Sequence, residues 1–132
     1  MPLPFSFATA TEILFGRGQA NSAPVRVAAL GKRVLLVQGG NPTRSEALAQ
    51  GLAAAGCAVE RFAVTEEPDT AIIESGVTIA RATGAEVVVA LGGGAVIDAG
   101  KAIAVLAPAT RPMIDHLEVV GAGLPLDHPP LP

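Results

Sequence analysis

Three consecutive glycines are the feature of this 132-residue sequence that points most directly to chemistry. Gly92, Gly93 and Gly94 directly follow the apolar run Val87 to Leu91 and precede small residues at helical spacing. Because glycine has no Cβ, a ligand can approach the backbone closely, and the free N–H groups at the helix start point towards it. The helix dipole adds positive potential, so the sequence predicts an anion site, most naturally for a diphosphate.

Gly39 and Gly40 form a second glycine turn, after the apolar stretch Arg33 to Val37. The carboxyl ends of parallel strands meet at one edge of a sheet, so the two turns are expected to lie together. A pure packing role, in which glycine only lets helix and strand approach, is the alternative interpretation. Replacing Gly93 by Val separates the two, because a packing role predicts lost stability and a site predicts lost ligand affinity.

Composition and motif spacing exclude several other classes of function. Ile97 stands where a G-x-G-x-x-G fingerprint needs its last glycine, and no Gly-Lys-Ser/Thr follows at P-loop spacing. A net charge of −3 without a Lys/Arg cluster argues against a nucleic-acid partner. Half of the residues are hydrophobic, which excludes intrinsic disorder, yet no apolar run nears the roughly 18 residues of a membrane span.

Three β-to-α units follow one another in the central part of the sequence. Their strands are predicted over Arg33 to Val37, Cys57 to about Val64 and Glu86 to Leu91, each followed by apolar residues at helical spacing. The third strand is apolar on both faces, which predicts a central parallel strand covered by helices on each side. The first of these helices is expected to start at Asn41-Pro42 and to end at Gly56. Since such units connect by right-handed crossovers, the sequence predicts an α/β fold with a Rossmann-like, doubly wound parallel sheet.

The domain organisation follows from where this periodicity begins and ends. A nucleotide-binding α/β domain is expected over residues 1–107, with an extended segment over residues 1–18 and a helix from Ala20 to Leu30. Proline is frequent and periodicity is lost after that domain. Residues 108–132 are therefore expected to be a linker towards a further domain.

The single cysteine, Cys57, cannot form an internal disulfide. Its position at the start of an apolar run favours a buried, inert thiol. No basic, apolar leader follows Met1. These features indicate a reducing, cytoplasmic setting.

The run Gly92 to Lys101 resembles the G-G-G-S-x-x-D-x-x-K signature of the iron-containing (group III) alcohol dehydrogenases, which belong to the dehydroquinate-synthase-like superfamily. The resemblance covers roughly Phe5 to Asp115 and includes Ile13 to Gly18 and Glu67-Pro68-Asp69 at matching spacings. It implies the N-terminal half of a two-domain, metal-dependent oxidoreductase that uses NAD(P). Hydride would pass between the nicotinamide and a small alcohol, aldehyde or ketone.

In such an enzyme a C-terminal helical domain supplies an Asp and three His to Fe²⁺ or Zn²⁺. The resemblance therefore implies no catalytic and no metal-binding residue in this sequence, which by itself would not be catalytically competent. His116 and His128 lack helical ligand spacing and a third partner, so neither is expected to bind metal. Maleylacetate reductase, glycerol dehydrogenase and dehydroquinate synthase stay open within the superfamily, as does a stand-alone nucleotide-binding module without catalysis.

The resemblance assigns cofactor-binding roles position by position. Gly92, Gly93 and Gly94 would receive the pyrophosphate, while Asp98 and Lys101 match the polar positions of the signature. The alternatives for these two are an acid that complements the helix N-terminus and a solvated lysine. Ala95 replaces the usual Ser, so the phosphate would depend more on backbone amides.

The end of the first strand bears on the choice of dinucleotide. Family members that prefer NAD have a sequence like Val-Thr-Asp at this position, and the aspartate bonds the ribose 2′-hydroxyl. In this sequence Gln38, Gly39 and Gly40 follow Val37, and no carboxylate would repel a 2′-phosphate. The sequence therefore predicts NADP over NAD, and the residues near enough to bind that phosphate are Asn41, Thr43 and Arg44.

The N-terminal residues suggest a contact with a second subunit. Phe5 to Ala8 and Glu12 to Phe15 are candidates for short extended pieces, and Phe5 to Thr9 alternates apolar and polar residues. Such a segment could add an edge strand to another subunit, and the resemblance suggests a homodimer formed in this way. A frayed terminus is the alternative.

Overall fold

A computed structural model describes residues 3–132 and contains one parallel sheet flanked by helices. The strands are β1 (Arg33–Gly39), β2 (Ala58–Val64) and β3 (Val87–Leu91), arranged in the order β2-β1-β3. A short 3-10 helix (Gln19–Ser22) precedes five helices: α1 (Ala23–Leu30), α2 (Thr43–Ala54), α3 (Thr70–Thr83), α4 (Gly94–Leu106) and the single-turn α5 (Met113–His116). The predicted α/β class and all three predicted strands are confirmed.

Strand β1 lies in the middle of the sheet and pairs in parallel with both neighbours, Leu35 opposite Glu60 of β2 and Val88 of β3. Residues 34–38 are all buried, because helices cover both faces of the sheet. The sequence analysis assigned the central position to the strand after Glu86. That assignment is wrong for the sheet formed by the described residues, in which β3 is an edge strand.

Two apolar clusters hold the helices against the two faces of the sheet. Alternate residues of β1 belong to different clusters, as the two-residue period of a strand requires. One cluster contains Leu35, Val37, Val64, Ile73, Val77, Ala80, Val96, Ala99, Ile103 and Leu106. The other contains Val34, Leu52, Cys57 and Val87, which confirms that Cys57 is buried.

Helices α3 and α4 approach each other closely on one face of the sheet. Gly76 of α3 makes this possible, since a Cβ built there would meet the Ile103 side chain and lie 3.1 Å from Cε1 of Phe62. None of the helices formed by residues 3–132 combines the length and the apolar character needed to cross a bilayer.

The N-terminal segment runs along the surface without joining the sheet. Residues 3–18 contain no strand, and Phe5, Phe7 and Phe15 are all more than 80% exposed. A strand needs a partner backbone, and none lies beside this segment within the described chain. The predicted homodimer through Phe5 to Thr9 stays a prediction.

The C-terminal segment, expected as a linker, is held to the domain. The N–H of Val88 donates to the carbonyl of Pro132 at 2.9 Å, on the open edge of β3. The N–H of Leu131 donates to the carbonyl of Ala104 in α4 at 2.9 Å. The sequence analysis predicted neither these contacts nor α5, because both depend on distant backbone rather than on local periodicity.

One carboxylate organises this segment. Asp127 Oδ2 accepts hydrogen bonds from the Thr110 hydroxyl, from the Thr110 N–H at 3.0 Å and from the Arg111 N–H at 3.1 Å. The Thr110 hydroxyl contributes most to holding the pKa of Asp127 well below its ordinary value of 3.8, and the two N–H groups and His128 act in the same direction. The carboxylate therefore stabilises the folded state in its charged form.

We expect Asp127→Ala to speed hydrogen exchange at the N–H groups of Thr110 and Arg111, because both lose their acceptor. The variant should also unfold with a weaker acid dependence. Because the pKa of Asp127 is lower in the folded state, its carboxylate makes its full contribution to the free energy of unfolding above the unfolded-state pKa of about 4. That contribution is lost as the pH falls through the folded-state pKa. Thermal unfolding between pH 7 and pH 2 measures this. Glu118→Ala, an exposed neighbour, is the control, and an identical pH dependence in wild type and Asp127→Ala would contradict the assignment.

Candidate functional site

The two glycine turns lie together at the carboxyl edge of the sheet, as predicted from the order of the elements. Between them is a cavity of about 270 Å³, at the point where the chain crosses from one side of β1 to the other. Crevices of this kind are where open α/β sheets bind ligands. The cavity is lined by Gln38, Gly39, Gly40, Asn41, Arg44, Ser45, Leu91, Gly92 and Gly93.

The three glycines of the triplet have different surroundings. A Cβ at Gly92 would lie 2.6 Å from Val96 Cγ2, so this glycine is needed for packing. A Cβ at Gly93 or Gly94 would meet no atom within 4 Å. Gly93 has an extended backbone that any residue can adopt (φ −81°, ψ −169°). The packing interpretation therefore accounts for Gly92 and leaves Gly93 and Gly94 to border open space.

The N-terminus of α4 has no side-chain cap among the described residues. Its first intrahelical donor is the N–H of Ile97, which bonds the carbonyl of Gly93 at 3.0 Å. The N–H groups of Gly94, Ala95 and Val96 come before that donor and have no intrahelical acceptor. In α3, by contrast, a carboxylate caps the first turn. An uncapped helix start beside a cavity offers both hydrogen-bond donors and positive potential to an anion.

The β1–α2 turn brings a cation to the same cavity. Asn41 Oδ1 accepts from the Thr43 N–H at 3.1 Å, so the side-chain oxygen of Asn41 serves the turn itself. Pro42 takes the N-cap position of α2, one residue later than predicted. Arg44 is exposed and lines the cavity, and its guanidinium makes no hydrogen bond or ion pair with residues 3–132.

Asp98 and Lys101 lie elsewhere. Their side chains are 66% and 74% exposed, and the Lys101 Nζ to Asp98 Oδ1 distance is 3.9 Å. Both line a separate, mainly apolar groove between α4 and the segment that contains Met113 and His116. Six of the predicted site residues therefore line one cavity: Gly39, Gly40, Asn41, Arg44, Gly92 and Gly93. Gly94 and Ala95 follow at the start of α4, at the border of the cavity. Asp98, Lys101 and Thr43 are not part of the cavity wall.

A buried polar cluster behind the β1–α2 turn was missed by the sequence analysis. Gln38 and Ser45 are only 6% and 1% exposed, and the Ser45 hydroxyl donates to Gln38 Oε1 at 2.5 Å. Arg61 of β2 donates to Gln38 Oε1 at 2.9 Å, to the Pro42 carbonyl at 3.1 Å and to Ser45 Oγ at 3.0 Å. The available sequence clue was a glutamine at the end of an otherwise apolar buried strand.

The outer end of the same arginine meets solvent. Arg61 Nη1 lies 2.8 Å from Glu46 Oε2. This hydrogen bond, followed by one from Gln50, holds the pKa of Glu46 below its ordinary value. The guanidinium of Arg61 is therefore fully engaged within the chain, whereas that of Arg44 is free to meet a ligand.

Residues 3–132 contain no group of three or more His, Cys, Asp or Glu side chains placed to hold a metal ion. His116 Nδ1 lies 3.1 Å from the Leu124 carbonyl oxygen, and His128 Nδ1 lies 3.5 Å from Asp127 Oδ1. Neither histidine belongs to a set of metal ligands within residues 3–132, and the sequence resemblance assigns the metal ligands to a C-terminal helical domain. No reaction step is therefore assigned to a metal in this part of the chain.

Comparison with known families agrees with the geometry of the site. The sequence profile described as "Iron-containing alcohol dehydrogenase" matches residues 10–132. The chain belongs to the iron-containing alcohol dehydrogenase family. The resemblance inferred from the glycine triplet is confirmed.

Curated relatives in this family include butanol dehydrogenases. Probable NADH-dependent butanol dehydrogenase 1 of Bacillus subtilis (strain 168) is 35% identical over 105 residues, covering 76% of this chain and 27% of that protein. NADH-dependent butanol dehydrogenase B of Clostridium acetobutylicum is 32% identical over 109 residues, with the same coverage of 76% and 27%. The chain thus spans about 27% of the length of the curated relatives it matches.

Solved structures of the family share the fold. ADH/D1, an archaeal halo-thermophilic alcohol dehydrogenase from a Red Sea brine pool, matches with a TM-score of 0.70 at 32% identity, covering 81% of this chain and 28% of that one. Maleylacetate reductase from Rhizobium sp. strain MTP-10005 matches with a TM-score of 0.60 at 32% identity, covering 76% and 29%. The sheet and its helices are the N-terminal, Rossmann-like portion of the iron-containing alcohol dehydrogenase fold.

Proposed function

We propose that this chain is the nicotinamide-dinucleotide-binding part of a metal-dependent alcohol dehydrogenase or reductase. The observation that carries the proposal is the uncapped start of α4, whose free N–H groups border a cavity shared with the β1–α2 turn. Gly93 and Gly94 leave that border open. A diphosphate would accept hydrogen bonds from these N–H groups, and the helix dipole would favour its negative charge.

When bound, the dinucleotide supplies the hydride that is exchanged with a small alcohol, aldehyde or ketone. The residues of this chain bind and orient the cofactor. The N–H groups of Gly94, Ala95 and Val96 hold the diphosphate, and Arg44 extends the positive potential along the cavity. No residue of the chain is assigned to acid–base or metal chemistry.

The proposal is tested by titrating the purified protein with NADH and with NADPH and following nicotinamide fluorescence. The chain contains no Trp or Tyr, so protein fluorescence does not interfere with the nicotinamide emission. We expect saturable binding that inorganic diphosphate weakens by competition. If the protein binds neither NADH nor NADPH, the proposal is overturned.

The preference for NADP over NAD is part of the proposal. β1 ends in Gly39, where NAD-preferring members of the family are expected to carry an acid that bonds the ribose 2′-hydroxyl. Arg44 lines the same cavity, and its guanidinium has no partner in residues 3–132. A 2′-phosphate would therefore meet a cation and no carboxylate. The matched butanol dehydrogenases are named as NADH-dependent, so this preference distinguishes the chain from them.

We expect Gly39→Asp to weaken NADPH binding by about tenfold while NADH affinity changes little, because the carboxylate repels a 2′-phosphate but accepts a bond from a 2′-hydroxyl. The side chain has room, since a Cβ at Gly39 would lie 4.0 Å from Val96 Cγ2. Parallel titrations with the two dinucleotides measure the ratio of dissociation constants. Gly39→Asn is the uncharged control, and a wild type that binds NADH more tightly than NADPH would contradict the preference.

Two features of the whole protein also belong to the proposal. The exposed side chains of Phe5 and Phe7 support assembly of two copies through the N-terminal segment, since exposed apolar residues favour burial against a partner. The single, buried Cys57 suits a reducing, cytoplasmic setting.

A further inference from the structure

We propose that Gln38 contacts the phosphorylated ribose of NADP(H) and that Arg61 is the positioning residue that aims it. This inference rests on the proposed function and names a recognition element that the sequence analysis did not include.

The amide of Gln38 has a fixed orientation. Arg61 has only hydrogen-bond donors, so the Gln38 atom that lies 2.9 Å from Arg61 Nε must be the oxygen. The Ser45 hydroxyl donates to the same oxygen. Both acceptor positions of Gln38 Oε1 are therefore used inside the domain, and the NH₂ group is on the other side of the amide.

That NH₂ group has no acceptor among residues 3–132, although Gln38 is only 6% exposed and lines the cavity. The amide nitrogen is not among the buried polar atoms that lack a partner, so it meets the solvent of the cavity, where a ligand can replace the water that accepts from it. Arg44, the unengaged cation, lines the same cavity. Two kinds of donor, neutral and charged, thus converge where no acidic side chain lines the wall, which is the chemistry that recognises a phosphate monoester.

Arg61 fixes more than the amide. Its bonds to the Pro42 carbonyl and to Ser45 Oγ tie β2 to the turn that carries Gly39 and Gly40. The guanidinium is planar and its donors are in a fixed geometry, so three simultaneous bonds hold the turn rigidly. Arg61 acts through Gln38 and this turn, since it does not line the cavity.

Gln38→Glu is the decisive variant. Glutamate has the same shape and can still accept from Arg61 and Ser45 through one oxygen, but it offers the cavity a second, negatively charged oxygen in place of NH₂. We expect NADPH affinity to fall by about tenfold or more and NADH affinity by less than about threefold. Thermal unfolding should stay close to that of the wild type.

Arg61→Met tests the positioning role, and Glu46→Gln is its control. Arg61→Met removes the bonds to Gln38, Pro42 and Ser45 together with the ion pair to Glu46, so we expect faster hydrogen exchange in the turn over residues 39–43 and a loss of NADPH preference by about fivefold. Glu46→Gln removes only the exposed ion pair and should change neither the exchange nor the preference. If Glu46→Gln shifts the preference as much as Arg61→Met, general charge rather than positioning governs it and the inference fails.

The outcomes separate this inference from the function on which it rests. A wild type that binds neither dinucleotide overturns the proposed function and the inference with it. A wild type that prefers NADPH, together with an unchanged preference in Gln38→Glu, overturns only the inference. Faster exchange in Arg61→Met with an unchanged NADPH-to-NADH ratio would show that the arginine orders the turn without aiming a ligand contact, and it also counts against the inference.

Discussion

Gly93→Val is expected to lower dinucleotide affinity by about 30-fold, which corresponds to about 2 kcal/mol. A branched side chain at this position would occupy the open space beside the start of α4 and would keep a diphosphate away from the N–H groups. The free energy of unfolding should change by less than about 1 kcal/mol, because valine adopts the extended backbone of residue 93 and no side chain is displaced. Fluorescence titration and chemical denaturation measure the two effects separately.

Two further variants make this result specific. Gly93→Ala should give a smaller loss of affinity than valine, because one methyl group fills less of the space. Ala82→Val, on the exposed side of α3, enlarges a side chain far from the cavity and should leave affinity unchanged. If Gly93→Val unfolds the protein and retains affinity in the folded fraction, the glycine has a packing role and the site is elsewhere.

Gly76→Val is expected to have the opposite effect, lowering the free energy of unfolding by about 2 to 3 kcal/mol. Even a Cβ at Gly76 would meet Ile103 of α4 and would lie 3.1 Å from Phe62 of β2, so three added carbons force the two helices apart. Denaturant titration with a fixed slope measures the change. Dinucleotide affinity of the folded protein should be unchanged, because the contact lies away from the cavity lining.

Ala82→Val again serves as the control, and its cost should be about 0.5 kcal/mol, the difference in helix propensity between the two residues. Equal losses of stability in Gly76→Val and Ala82→Val would show that α3 and α4 are not closely packed in solution. The pair Gly93→Val and Gly76→Val thus distinguishes a glycine that leaves room for a ligand from one that leaves room for a helix.

The fold could be predicted from the sequence because its determinants are local. Apolar runs of strand length end at glycine turns, and helical spacing follows each of them, so the bounds of the predicted strands differ from those observed by only one or two residues. The order of the strands in the sheet could not be predicted from local sequence in the same way. A run that is apolar on both faces, such as Val87 to Leu91, fits a central strand, yet β3 is an edge strand in which Val87 is buried, residues 88–90 are half-buried and Leu91 is exposed.

The candidate site was predicted where backbone geometry creates it and missed where side chains from distant strands do. Gly39 and Gly93 come together because parallel strands end at one edge of the sheet. The bonds between Gln38 and Arg61 depend on the parallel pairing of β1 with β2, and nothing in the local sequence of either strand indicates them. Asp98 shows the converse, since a position carried over from a family signature is exposed away from the cavity.

The C-terminal segment illustrates the same limit. Proline between residues 108 and 132 suppresses any helical or strand period, so the sequence offered only a linker there. The contacts that hold this segment include those of the Asp127 carboxylate, the bond from the Val88 N–H to Pro132 and the bond from the Leu131 N–H to the Ala104 carbonyl. These are single contacts over long sequence separations, which periodicity cannot reveal.

The bare start of α4 implies a trade-off for protein engineering. An aspartate or serine in place of Gly93 is the replacement that consensus rules for helix starts would recommend, with a gain of several tenths of a kcal/mol at most over glycine. The aspartate would set a negative charge at the cavity border, and either side chain would use the donors that an anion needs. Selection for heat resistance alone would therefore favour these substitutions at Gly93 at the expense of anion binding. Screens for thermostable variants should keep residue 93 as glycine.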